Sequence, residues 1–260
     1  VTIWQGVAIF AAAVVAGMMN SIAGGGTILT FPTLLWMGRD PIMANATSTV
    51  ALWPGSLGAM YGFRRELEGS RRWMIRLGGP SLAGGLLGAV LLLQTPSRVF
   101  ASLVPFLILF ATILFAAQEP IMRALGRAGV TNEERADAEP SRAWWVWAAG
   151  FQFLSSVYGG YFGAGNGIVM LAVLGLLGLT DIHRMNGLKN FFAVCINVVA
   201  SAYFIISGAI NWPDAIVMTV GAIAGGYGGA GLARKLGRRA VRRAVVVIGI
   251  FITLSLLFRR

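Results

Sequence analysis

Long apolar runs set the first constraint on this chain. The stretches 73–93, 97–117 and 212–232 are each long enough, at about 1.5 Å of rise per residue, to cross roughly 30 Å of hydrocarbon as a helix. Of 260 residues, 57% are hydrophobic and 12% are charged, whereas a soluble domain carries about a quarter charged residues. The sequence therefore predicts an all-α, multi-pass membrane protein. Its 35 glycines fit that class, because small residues let membrane helices approach closely. Small-xxx-small spacings recur at Gly84 and Gly88 and at Gly225 and Gly229.

The net charge of +11 does not point to nucleic acid. The arginines sit between the apolar runs, and the aromatics lie inside the runs rather than among the basic residues. Clusters at Arg64, Arg65, Arg71 and Arg72, and at Arg234, Lys235, Arg238, Arg239, Arg242 and Arg243, read as cytoplasmic anchors. The first apolar run has no basic flank and leads into a glycine turn, so it reads as a mature helix rather than a cleaved signal. Cys195 is the sole cysteine and lies in an apolar run, which excludes a disulfide framework.

The chain repeats itself. A shift of 141 residues, the distance from Asp40 to Asp181, also places Ala23, Gly24 and Gly26 on Ala164, Gly165 and Gly167, and Asn45 on Asn186. The register continues through Phe63 on Phe204 to Ala83, Gly84, Gly85, Gly88 and Ala89 on Ala224, Gly225, Gly226, Gly229 and Ala230. We read two transmembrane repeats, 1–117 and 143–260, joined by a polar cytoplasmic linker, 118–142. Each repeat holds about five apolar segments, which in the first are 3–19, 27–37, 43–61, 73–93 and 97–117. The second segment, and its counterpart at 167–179, reaches only about half-way across the hydrocarbon.

Five segments per unit invert the second copy. All Lys and Arg then face the cytoplasm except Arg39, Arg98, Arg259 and Arg260 outside and Lys189 within the membrane. The basic loop after Tyr61 has an uncharged equivalent at 207–212, and the basic loop after Leu232 has an equivalent with only Arg98. A parallel arrangement with broken crossings would leave one large basic cluster outside.

Two glycine turns separate the apolar segments. Asn20-Ser-Ile-Ala-Gly24-Gly25-Gly26-Thr27 and Gly163-Ala-Gly165-Asn166-Gly167 both open short segments. Broken membrane helices are tolerated where the freed backbone lines a polar cavity, and half-helix N-termini there offer N–H donors to anions. Close packing of glycines between helices is the plainer alternative. Neither turn reads as a nucleotide loop, because no Lys follows the first and no strand pattern precedes the second.

After each turn comes a helix with a polar stripe. Asn45, Ser48, Thr49 and Ser56 share one face, and Asn186, Lys189, Asn190 and Asn197 share the equivalent one. Polar side chains are costly against lipid, so both faces should look into the bundle, toward a cavity or simply toward another helix. Lys189 is the sharper signal, although snorkelling from near a helix start would also accommodate it. Its balancing charge would come from a loop carboxylate, Asp181 or Asp40, or from an arriving anion. Both aspartates precede a striped helix and read as caps, with proton coupling as the alternative. With no nucleophile-elbow motif, paired-His motif or cysteine cluster in the sequence, we expect neither an enzyme, nor a cofactor, nor a metal.

Asn20-Ser-Ile-Ala-Gly-Gly-Gly26, Ala44-Asn-Ala-Thr-Ser-Thr-Val-Ala-Leu-Trp-Pro-Gly55, Tyr158-Gly-Gly-Tyr-Phe-Gly-Ala-Gly165 and Met185-Asn-Gly-Leu-Lys-Asn190 resemble the signature segments of the TauE/SafE family. The likeness spans the chain apart from the linker. Asn166 departs from it, standing where a glycine is usual. The resemblance implies a multi-pass secondary carrier of the bacterial inner membrane that exports sulfite, an organosulfonate or a related small anion, coupled to an ion such as a proton or sodium; an anion channel, or a receptor or structural membrane protein without flux, is the alternative. On that basis the two turns would meet near mid-membrane, their amides and the Asn side chains would hold the anion, and Lys189 would supply the opposite charge.

Overall fold

The structure, a computed structural model, describes residues 3–22, 25–62, 64–130, 141–179 and 181–258, and within these all side chains but 21–22, 58–59, 61–62, 118, 122, 124–130, 227–245 and 256–257. Gly24, Phe63, Arg259 and Arg260 lie outside the described residues, as do the surroundings of Gly229 and the side chains of the basic cluster from Arg234 to Arg243. The described residues form nine helices and no strand. They are α1 (Ile3–Ile22), α2 (Thr27–Trp36), α3 (Pro41–Gly62), α4 (Arg71–Gln94), α5 (Ser97–Val130), α6 (Arg142–Tyr161), α7 (Asn166–Leu176), α8 (Ile182–Ile206) and α9 (Trp212–Phe258).

Four of them contain stretches long and apolar enough to cross a membrane: Ile3–Asn20, Arg71–Gln94, Ser97–Ala117 and Ile182–Ile206. Helices α2 and α7, with 10 and 11 residues, are the half-length segments expected from the sequence. Bulky apolar side chains such as Phe106, Ile113, Leu154 and Ile216 are exposed on the outside of the bundle, while Asn45, Ser48, Gln152 and Lys189 are buried within it. This inside-out distribution is that of a polytopic membrane protein, whose outer surface meets lipid.

Two boundaries differ from the sequence reading. Helix α5 continues to Val130, so residues 118–130 of the linker stretch are helical. That segment holds good helix formers and an i,i+4 pair, Arg123 to Glu119 at 3.5 Å, which sustain the helix past its apolar part. In the second half, the fourth and fifth apolar segments fall on one unbroken helix, α9.

The halves exchange helices. Helix α4 packs mainly on α6, and α9 packs mainly on α1, so equivalent elements make equivalent contacts across the two copies. Glycine makes this possible. A side chain at Gly84 would strike the α6 backbone at Phe153, and one at its repeat equivalent Gly225 would strike the α1 backbone at Val14. Helices α3 and α8, which carry the polar stripes, face each other at the centre. Their starts are fixed as the sequence suggested: Asp40 Oδ1 accepts from the Ile42 and Met43 amides, and Asp181 Oδ1 accepts from the His183 amide at 2.9 Å.

Charged ties reinforce the exchange at each end. Arg39, in the loop before α3, donates from Nε and Nη2 to the two carboxylate oxygens of Asp214 at 2.7 and 3.2 Å. Asp214 lies in the first turn of α9 and is fully buried. Arg184 of α8 reaches back to Ser70 Oγ at 2.8 Å and to the Gly69 carbonyl, just before α4. Removing the partner of a buried charge costs more than removing the charge itself. Arg39→Ala should therefore destabilise the detergent-solubilised protein by about 3 kcal/mol, and Asp214→Ala should cost less because the remaining guanidinium is 24% exposed. The double variant should recover part of the Arg39→Ala loss; thermal denaturation of the three variants measures this, and purely additive losses would contradict it.

Candidate functional site

The chain leaves α1 and must start α2 inside the bundle, where no water satisfies the first N–H groups of a helix. A side chain does so instead. The Gly25 and Gly26 amides donate to Asn20 Oδ1 at 2.9 and 2.8 Å. Only the oxygen of a carboxamide can accept two N–H bonds, so Asn20 Nδ2 is left as the donor end. The sequence reading had the turn amides and the Asn side chains, Asn20 included, hold an anion; in the fold the Gly25 and Gly26 amides are engaged by Asn20.

The second turn is built differently. Gly165 holds φ +73° at the start of α7, and the Tyr158 hydroxyl donates to the Ala164 carbonyl at 2.5 Å. Asn166 opens α7, and its Oδ1 accepts from Ser155 Oγ at 3.1 Å. Among the described residues its Nδ2 finds the Met170 sulfur at 3.8 Å, a weak acceptor. Asn166 is the repeat equivalent of Gly25, and it brings a second donor end to the same place. Behind the turns, Phe31 and Phe162 meet edge to face with ring centres 5.4 Å apart, fixing one turn against the other.

Between the turns and the facing stripes lies a cavity of about 100 Å³. The first half contributes Asn20, Gly25, Thr27, Thr49 and Ser56 to its wall, and the second contributes Gly163, Asn166, Gly167, Lys189, Asn190 and Asn197. Thr49 and Asn190 are repeat equivalents, as are Ser56 and Asn197, so the two copies build the wall in matching positions. Lys189 is 6% exposed and donates from Nζ to Asn186 Oδ1 at 3.3 Å. Among the described residues no carboxylate lines the cavity. One buried cation with four carboxamides and three hydroxyls makes a lining suited to negative charge, at a depth where an opposite charge counts for more than it does in water.

The remaining predicted residues frame the cavity instead of lining it. Asn45 Nδ2 donates to the Tyr161 carbonyl at 3.0 Å, tying α3 to the end of α6. Ser48 and Thr30 share a hydrogen bond at 2.5 Å, tying α3 to α2. Asn186 also donates to the Ile182 carbonyl, which orients the oxygen that receives Lys189. Gly26 and Gly165 are buried in the turns, and Gly24 lies outside the described residues. Leu52, Gly55, Gly159, Phe162, Ala193 and Ile196 line the cavity without having been singled out from the sequence. For the α3 and α8 members, their spacing from the stripe residues was the available signal. Asp214 was missed as well, and its carboxylate is committed to Arg39.

The match to known proteins covers the same ground. The sulfite exporter TauE/SafE profile aligns with residues 9–256, nearly the whole chain. The chain belongs to the TauE/SafE family. Relatives of this TauE/SafE protein include a "probable membrane transporter protein" of Haemophilus influenzae, 29% identical over 96% of this chain and 93% of the relative. Another, from Sinorhizobium, is named "probable membrane transporter protein ORF9" and is 28% identical over 96% and 91%. "Probable membrane transporter protein YfcA" of Escherichia coli K12 is 26% identical over 96% and 88%. No solved structure matches the chain. The protein is a membrane transporter.

In this TauE/SafE protein the two turns should differ in tolerance. Gly25 holds φ +134°, and a Cβ there would run into the ring of buried Phe115. Gly165 holds φ +73° but has neighbours only at ordinary contact distance, 3.5 Å, so alanine there costs the left-handed strain alone, about 1–2 kcal/mol. Gly25→Ala should abolish transport in reconstituted vesicles, and Phe115→Leu should restore part of it; Gly165→Ala should retain more. Equal activity of the two alanine variants would show that the Phe115 contact plays no part.

Proposed function

We propose that the protein carries a small sulfur oxyanion or organosulfonate across the bacterial inner membrane by alternating access, with the central cavity as the binding site. The observation that carries this reading is Lys189: a buried cation beside a cavity whose other described polar lining residues are neutral. An internal charge of this kind is disfavoured by about 2.5–3.5 kcal/mol in an apolar helix, so packing alone does not account for it. The family description supports sulfite as the reference substrate. The cavity volume supports the same class, since it holds one small anion with little of its hydration.

In this mechanism the anion enters the gap between the turns and pairs with Lys189, which Asn186 orients. Asn20 accepts two backbone N–H bonds and passes their polarisation on, so its own Nδ2 donates more strongly to an oxyanion. Asn166, Asn190 and Asn197 complete the donor set with Thr27, Thr49 and Ser56. The two halves, inverted relative to each other and packed by exchange of α4 and α9, rock about the site and open it to one side at a time. A proton or sodium ion supplies the driving force, and the direction is export.

Proteoliposomes loaded with sulfite, sulfate, thiosulfate, sulfoacetate or taurine test this reading. A carrier gives uptake stimulated by the anion on the opposite side, whereas an anion channel passes current that reverses at the anion's equilibrium potential. Loss of one charge-assisted contact is worth about 2 kcal/mol, or roughly 30-fold. Lys189→Ala should lose anion transport by about that factor, and Lys189→Arg should keep a measurable part. Wild-type affinity and rate in Lys189→Ala would remove this residue from the site.

A further inference from the structure

A second feature combining charge, shape and an apolar floor lies on the outside of the bundle, where α4 and α6 both begin. A groove of about 580 Å³ is lined there by Arg76, Arg142, Trp145, Val146 and Ala149. The Arg76 guanidinium carbon sits 4.5 Å from the centre of the Trp145 ring. Trp145 is itself held by Trp144 and Trp73, with ring centres 4.9 and 5.3 Å away. Stacking uses the flat face of the guanidinium and leaves its in-plane N–H groups to donate elsewhere. Arg142 is exposed at the first position of α6. Two guanidinium groups thus line one groove, with no carboxylate among its described lining residues, beside the N-terminus of α6, whose dipole also favours negative charge.

The floor and surroundings say what kind of anion fits. Below the arginines the wall is Val146 and Ala149, and the same helix continues outward with Val146, Trp147, Phe151 and Leu154 exposed by 67, 71, 50 and 64%. Ile75, beside Arg76, is 65% exposed. The tryptophan cluster marks the level where hydrocarbon gives way to headgroups. A free inorganic anion would use the arginines and ignore the apolar face. An amphiphile uses both.

We propose that this groove binds an anionic phospholipid, its phosphate between Arg76 and Arg142 and its chains along the Val146 face of α6. The repeat argues that the site serves one leaflet only. The positions equivalent to Arg76 and Trp145 are Val217 and Trp4, so the other copy keeps the ring and lacks the cation.

The test uses the full chain purified in detergent, with retained lipid measured by native mass spectrometry and stability by thermal denaturation. Wild type should retain phosphatidylglycerol over phosphatidylcholine and be stabilised by phosphatidylglycerol micelles but not by inorganic phosphate. Arg76→Gln with Arg142→Gln should lower phosphatidylglycerol retention at least roughly tenfold. Both side chains are exposed, so stability in phosphatidylcholine should stay unchanged. A control pair at the same end but outside the groove, Arg65→Gln with Arg71→Gln, should retain the lipid. The proposal is overturned if the groove variant holds phosphatidylglycerol as wild type does, if the control pair loses it equally, or if inorganic phosphate stabilises as well as the lipid.

Discussion

Two helices of this protein start inside the bundle, and the N–H groups at a helix start must find acceptors where neither lipid nor bulk water supplies them. Much else in the centre of the fold answers that requirement. Asn20 turns back from the end of α1 to accept from Gly25 and Gly26. Tyr158 fastens the second turn from within α6, and Phe31 and Phe162 pack behind both. Once the turns are fixed, the space between them cannot close, and α3 and α8 must present polar rather than apolar faces to it. The cavity is the consequence of starting two helices inside the bundle.

The two copies are alike in frame and unlike in charge. Lys189 has Ser48 as its repeat equivalent, and Ser48 is spent on Thr30; Asn166 answers Gly25. The two faces of the cavity thus differ in charge: among its described lining residues the cation is Lys189, on α8 alone. A scaffold of exchanged helices suits repeated rearrangement, because α4 and α9 tie the copies together while glycine contacts keep their backbones close. The Arg39–Asp214 pair at one end joins the loop before α3 to α9, and the Arg184 contacts at the other join α8 to the residues before α4.

Much of this was legible in the sequence because membrane chemistry makes polar residues conspicuous. A stripe of Asn, Ser and Lys in an apolar helix has to face inward, and the 141-residue register tells which members face each other. What the stripe did not reveal is division of labour. Asn45 and Ser48 lie on the same polar stripe as Thr49 and Ser56, yet they bond to neighbouring helices while the latter pair line the cavity. That difference depends on where α2 and α6 pass, which periodicity does not encode. Leu52, Phe162, Ala193 and Ile196 were hidden for the opposite reason, since an apolar residue facing a cavity looks like one facing lipid. Asp214 was overlooked inside a run read as apolar, because its partner Arg39 lies 175 residues away in the chain. The continuous α9 was hidden because a basic stretch between two apolar segments reads as a loop.

The central claim is that equivalent faces of α3 and α8 line one cavity that opens alternately to the two sides of the membrane. Single cysteines at Thr49 and at Asn190, in a Cys195→Ala background, probe it with a membrane-impermeant maleimide applied to right-side-out and to inside-out vesicles. Both positions should react from both sides, and saturating amounts of a transported anion should slow both reactions. If each cysteine reacts from one side only and the anion leaves its rate unchanged, the two faces do not share an alternating site.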